Sequence, residues 1–286
     1  MHTSTMAGKF IIGRTICAGV LMAALSGFIF LEAALAPKSE PWPRWQAHNP
    51  KSAATISHAA WDKFLKKYIV GHKDGVNRVL YGRVGEDDKK ALHDYLNRLR
   101  TTPIGNFNRA EQKAYWINLY NALTVRMVLQ FHPVDSIKDI DVSSGPSGGP
   151  WNRKLLEVIG TPLSLNDIEH RILRPVWRDA RIHYAVNCAA LGCPNLQPTA
   201  FTAANTNTIL DHAALNFANH RRGARIEDGR LVVSKIYAWF AEDFGGSEET
   251  VIAHLRRNAE PPLARALAGR TSIDDYEYDW SLNGAK

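Results

Sequence analysis

Apolar residues recur at three- and four-residue spacing through most of the chain, which predicts a largely helical fold. Between Ser57 and Tyr68 the pattern places Trp61, Phe64, Leu65 and Tyr68 on one face. A second helix is predicted over Asp87–Leu99, with Leu92, Tyr95, Leu96 and Leu99 inward and two aspartates in its first turn, where the helix dipole favours negative charge. Arg109–Gln130 carries the strongest signal. It is apolar nearly all round, the mark of a buried central helix, with Asn108 and Glu111 as an Asn-x-x-Glu capping box and His132-Pro133 as a stop. Leu165–Arg174 reads as a short helix with Ile168, Ile172 and Leu173 inward, and Asn205–His220, Ile236–Phe244 and Ser247–Arg257 read as three more. Strand patterns are fewer: Asn77–Val84, Ile182–Val186, and a hairpin over Arg225–Ser234 turned by Asp228-Gly229. The expectation is an α+β fold, a single domain over residues 57–286 that is mostly helical with a small antiparallel or mixed sheet. The Pro- and Trp-rich residues 37–56 are a linker or wrapping arm, and the Gly/Pro/Ser-rich loop at 143–151 is a flap or lid.

The first 36 residues change the picture. Lys9 and Arg14 precede a continuous apolar run over Thr15–Leu31, and Ala34-Leu35-Ala36 supplies the small-x-small pattern of a signal-peptidase site. The run falls short of the roughly 20 residues of a comfortable membrane span. A cleaved signal peptide is the expectation, with retention of residues 10–31 as a membrane anchor as the alternative. Either way the domain is exported, periplasmic or secreted. Cys17 leaves with the leader, so Cys188 and Cys193 meet an oxidising compartment, where a neighbouring pair is commonly a disulfide.

Composition narrows the classes further. With 45% hydrophobic and 22% charged residues the chain has ample material for a core. Its net charge of +7 is spread along the chain with no aromatic interleaving, so no nucleic-acid partner is expected. The partner is instead an unidentified substrate or ligand, such as an envelope component, with membrane contact only through an uncleaved leader. The 143–151 loop lacks the G-x-x-x-x-G-K pattern of a phosphate cradle, and no cofactor is expected. Asp139 and Asp141 read as a solvated loop, and His212, His220, Arg221 and Arg222 as a solvated helix face.

Candidate chemistry concentrates in Arg181–Leu196 (RIHYAVNCAALGCPNL), which brings His183, Cys188 and Cys193 within eleven residues. Asn118 and Asn121, three apart on the buried helix, either tie it to a loop or line a site. Four segments, YWINLYNALTV (115–125), LSLNDIEHRILR (163–174), RIHYAVNCAALGCPNL (181–196) and YDWSLN (278–283), resemble the domain of unknown function 547 family in residues and in order. The resemblance runs through most of residues 60–283 and implies an exported bacterial protein. It brings no settled activity. It does imply that the recurring polar positions are Asn118, Asn121, Glu169, His170, His183, Cys188 and Cys193.

Three chemistries fit these residues. A thiol-dependent hydrolase or acyl transferase would use Cys188 as nucleophile, leaving a strand into Ala-Ala-Leu, with an imidazole as base. If 183–188 is one extended strand, His183 and Cys188 lie on opposite faces and roughly 16 Å apart. His170 is then the freer base, oriented by Asn118 or Asn121 as in a Cys-His-Asn arrangement. In outline such a unit beside a buried helix is similar to papain-like or transglutaminase-like folds. Alternatively, Cys188 and Cys193 form a disulfide in a non-catalytic envelope binding module, with Gly192 helping the turn. The third chemistry is a zinc site from His170, His183, Cys188 and Cys193, for which no C-x-x-C or H-E-x-x-H spacing is present. Glu169 and His170, adjacent on a helix, are expected to diverge by about 100°.

Overall fold

The longest helix, α3 (Arg109–Phe131), runs through the centre of the computed structural model, which describes residues 34–140 and 149–285. Seventeen of its side chains are buried, including Tyr115, Trp116, Tyr120 and Leu123. Asn108 caps it by accepting from the backbone N–H groups of Ala110 and Glu111. The expected reciprocal bond from Glu111 is absent. That carboxylate instead accepts the N–H of Ile56 at 3.1 Å, holding the incoming chain. Helix α2 (Glu86–Thr101) packs on it and α1 (Ala59–Tyr68) packs on α2, with Trp61, Phe64, Tyr95, Leu96 and Leu99 in the shared core. Only Arg78 and Val79 of the expected strand over 77–84 pair, as β2 antiparallel to β1 (Ile69–Val70). Tyr81–Arg83 then winds into a 3-10 turn.

A second, smaller core gathers behind helix Thr206–Asn219 around Tyr184, Phe217, Tyr237, Phe244 and Leu255. The hairpin forms where Asp228-Gly229 predicts it, Ala224–Glu227 pairing antiparallel with Arg230–Ser234. Asp275–Glu277 adds to it in parallel, so the three-stranded sheet is mixed. With two further two-stranded sheets the fold is α+β, mostly helical, as the periodicity predicts. Ile236–Phe244 is broken at Phe240 into an α-turn and a 3-10 turn, and that break aims Phe240 and Asp243 at the site described below.

The proline- and tryptophan-rich arm wraps. Glu40 and Trp42 donate backbone N–H groups to the carbonyls of His170 and Arg171, and Trp45 packs edge-on against Trp116. The far end of the chain also straps the molecule, with Leu282 bridging to Ala190 and Gly284 to Val79. No helix among the described residues is long and apolar enough to cross a membrane. The leader expected over 1–36 and the flap at 143–151 lie almost wholly outside the described residues, as does Asp141.

Candidate functional site

The segment expected as an α-helix over 165–174 is wound wider. Asp167–Leu173 is π-helical and passes into a short α-helix, Arg174–Trp177. Asp167 anchors its start by accepting from the Ser164 N–H and hydroxyl and pairing with Lys154. The wider turn changes where its side chains go. Glu169 and His170 do not diverge to separate surroundings: both are buried, with Glu169 Oε2 3.9 Å from His170 Nε2.

Ile182–Val186 is not a strand. Ala180–Tyr184 forms a 3-10 helix capped by Asp179, which accepts the Arg181 N–H. A short apolar run is compatible with either state, and here tertiary contacts decide. The turn drops His183 beside the π-helix, its ring stacked on Phe240 at 4.4 Å. Its Nε2 lies 2.6 Å from Asp243 Oδ2 and its Nδ1 3.6 Å from Glu169 Oε1. Arg174 completes the group, donating from Nε to Asp243 at 2.5 Å and from Nη1 to His170 Nδ1 at 3.0 Å. Two carboxylates thus face two cations in a site that is buried except at Asp243, a fifth of whose side chain is exposed.

The charge states follow. Burial opposes protonation of His183, but the hydrogen bond to Asp243 and the charge of both carboxylates outweigh it and raise its pKa. For Glu169 burial alone pushes upward, and His170, His183 and Arg174 together pull it down to about 2. Asp243 is likewise held at about 2, against burial, by His183 and Arg174. Burial takes His170 down to about 4, so near neutral pH it accepts from Arg174 at Nδ1 and carries its proton on Nε2. Burial, and after it the charge of Glu169, raises the pKa of the Tyr120 hydroxyl well above the usual range.

The cysteine loop forms a separate group. Cys188 and Cys193 are joined as a disulfide with Cα atoms 6.4 Å apart. The Tyr278 hydroxyl lies 3.1 Å from each sulfur, and the Cys188 N–H points at Cys193 Sγ from 3.0 Å. Cys188 is half-buried and Cys193 buried. The C-terminal strap closes the loop, with Leu191 and Gly192 donating N–H groups to the carbonyls of Ser281 and Asp279. The approach requires glycine at 192, because a Cβ there would lie 2.8 Å from the Asp279 nitrogen. Arg222 does not sit on a solvated face. Its guanidinium donates to the Leu191 carbonyl and to Asn195, clamping the same loop, and burial lowers its pKa to about 10.

The two asparagines hold backbone. Asn118 donates to the Phe201 carbonyl and accepts its N–H, at 2.7 and 3.0 Å. Asn121 donates to the Ala185 carbonyl and accepts the Asn187 N–H, at 2.9 and 2.8 Å. Both carboxamides lie at or near zero exposure, and each ties α3 to a loop of the site. Truncation orphans buried backbone groups, each costing about 1–3 kcal/mol. Asn121→Ala is therefore expected to destabilise by about 2–4 kcal/mol in urea unfolding, and Asn121→Asp, which keeps the acceptor but sets a buried carboxylate against the Ala185 carbonyl, by at least as much. A loss under about 1 kcal/mol in Asn121→Ala would contradict this assignment.

Among the described residues no group of three or more His, Cys, Asp and Glu side chains is arranged to hold a metal ion. The imidazoles face carboxylates and the sulfurs face Tyr278, so His170, His183, Cys188 and Cys193 do not converge. Asp139 is exposed and caps a 3-10 turn, accepting the Ser136 N–H at 2.8 Å. Sequence reasoning named Glu169, His170, His183 and the cysteines but assigned nothing to Arg174, Asp243 and Tyr278. Of these, Tyr278 and Arg174 lie in segments that carry the family resemblance; Asp243 has no local signal.

Comparison with known proteins gives one match. Residues 104–218 match a family described as a protein of unknown function, DUF547. No curated protein and no solved structure matches the chain.

Proposed function

Because the chain belongs to the DUF547 family, whose description assigns no activity, its role has to be argued from its own residues, and we propose that it is an exported envelope binding module fastened by the Cys188–Cys193 disulfide. The leader pattern at 1–36 and a disulfide, which persists in oxidising compartments, support export. One observation carries the reading of the site. Both imidazoles offered as bases are engaged away from sulfur, His183 by Asp243 and Glu169, His170 by Arg174, and each cysteine is engaged by the other. A nucleophile needs a base within hydrogen-bond reach. The group at that distance from Cys188 is the Tyr278 hydroxyl, whose pKa burial raises above its ordinary value. A protonated phenol is a donor, not a base.

The thiol-dependent hydrolase or acyl transferase is the second reading. The half-burial of Cys188 favours it, because a reductant or substrate can reach that sulfur. Thiol counting on the exported protein separates the two. The binding module predicts no free thiol without reductant and, after reduction, slow alkylation near neutral pH. It also predicts that Cys188→Ser and Cys193→Ser lose the same stability, about 2 kcal/mol for so short a loop, and that the double variant loses no more. Two free thiols, one alkylated rapidly near neutral pH, would reject the binding module in favour of the enzyme.

A further inference from the structure

A cleft of about 610 Å³ opens on the outer side of Asp243, between the end of helix Arg174–Trp177 and helix Glu248–Asn258. Arg178, Arg181, Asp243, Thr250, His254 and Arg257 contribute to its walls. Its carboxylates are already neutralised. Asp243 is held by Arg174 and His183, and Asp179 by Lys113 at 2.7 Å and Arg181 at 2.8 Å. Arg181 is in turn shared between Asp179 and Asp211. Arg178 and Arg257 differ. Both are exposed, both face the cleft, and among the described residues neither has a carboxylate partner. Arg178 is presented from a left-handed backbone position, φ 48°, sparsely populated by residues with a side chain. His254 lies at the base, its Nε2 2.8 Å from the Tyr184 hydroxyl.

We infer that this cleft binds the phosphate group of a small ligand. Two unpartnered guanidinium forks approach from different elements. A carboxylate has two oxygens in one plane and fills one fork, whereas a tetrahedral phosphate presents oxygens to both at an angle. The neutralised carboxylates remove the repulsion that an open Asp243 or Asp179 would exert. This supplies the ligand class that the binding-module reading leaves open, and it rests on that reading.

His254 is a built-in reporter. Burial first, then the charge of Arg257, brings its pKa down to about 4; the other charged groups acting on it are Asp179, which opposes this, and His183. A phosphate set against Arg257 raises it. The experiment titrates the full chain with glycerol 3-phosphate, and with acetate at equal ionic strength, while NMR follows the His254 ring signals. Glycerol 3-phosphate is expected to shift them saturably and to raise the His254 pKa. Arg178→Gln and Arg257→Gln are each expected to weaken binding about tenfold or more, and the exposed Arg265→Gln to leave it unchanged. Competition by phosphatidylglycerol vesicles identifies a lipid headgroup as the source of the phosphate; absence of competition identifies a soluble phosphoester, at the same site. No saturable shift, an equal effect of acetate, or equal weakening by Arg265→Gln overturns the inference. Thiol counts on the same preparation keep the two proposals apart, since two reactive thiols reject the binding module without moving the phosphate titration.

Discussion

Asp243→Asn is expected to lower the free energy of unfolding by about 3–5 kcal/mol, the scale on which breaking one side of a buried ion pair destabilises a fold. One oxygen, Oδ2, receives both His183 Nε2 and Arg174 Nε, at 2.6 and 2.5 Å. The carboxamide keeps the shape and removes the charge, leaving two cations to share Glu169 in a buried setting. His183 then has a way out that Arg174 lacks, because it can release its proton. The variant should therefore show the His183 pKa falling, and its stability deficit should be smaller where His183 is already neutral. Asp243 is a fifth exposed, which places the expected loss toward the lower end of the range. Urea unfolding near neutral pH measures the loss, and NMR titration of His183 measures the coupling. A loss under about 1 kcal/mol, with the His183 titration unmoved, would mean that the cluster is an incidental contact and not a structural centre.

The parts of this fold that the residue pattern announces are those decided within a few turns of chain. Helix Arg109–Phe131 is apolar on every side and has one position it can occupy, the middle. Asp228 and Gly229 both adopt positive φ, as the two-residue turn demands, and the hairpin follows. The cysteine pair and the Glu169, His170 and His183 positions were visible as residue types. Their arrangement was not, because distant groups impose it. The run at 182–186 has the apolar content of a strand, yet Asn121, some 65 positions earlier, takes its carbonyl at Ala185 and the next N–H at Asn187. Along the π-helix the arm at 40–42 donates to two carbonyls the helix leaves open, that of His170, because the Arg174 N–H goes to Glu169, and that of Arg171, because the residue four on is Pro175 and has no N–H. Asp243 lies 60 residues from His183, and Tyr278 lies 90 from Cys188. No periodicity links such pairs, so Glu169 and His170 read as divergent helix neighbours when they share one charged pocket.

Three histidines make acid the condition under which this protein should fail first. Burial lowers His58, His170 and His254 each to about 4, against 6.5 for an unperturbed imidazole. The sign follows from proton uptake. Between 6.5 and 4 the unfolded chain binds a proton at each of these positions that the folded chain does not, so stability falls as pH falls. Each group contributes about 1.4 kcal/mol per pH unit, and three together about 4 kcal/mol per unit at full effect. A domain with on the order of 5–15 kcal/mol of stability does not survive that slope for long, so the acid transition is expected between pH 6.5 and 4. The carboxylates do not set this window. Glu169 and Asp243, held at about 2, stabilise above their unfolded values and lose that contribution only on descent below about pH 4. His183 works in the opposite sense. Its raised pKa gives a contribution complete below 6.5 and lost as pH rises through its folded value, so stability is greatest near pH 6.5. Urea unfolding at half-unit pH steps reads the slope directly, and His58→Gln, which removes one of the three groups, is expected to reduce it by one proton. A stability that stays level from pH 6.5 down to 4 would show that these imidazoles are open to water in the folded protein.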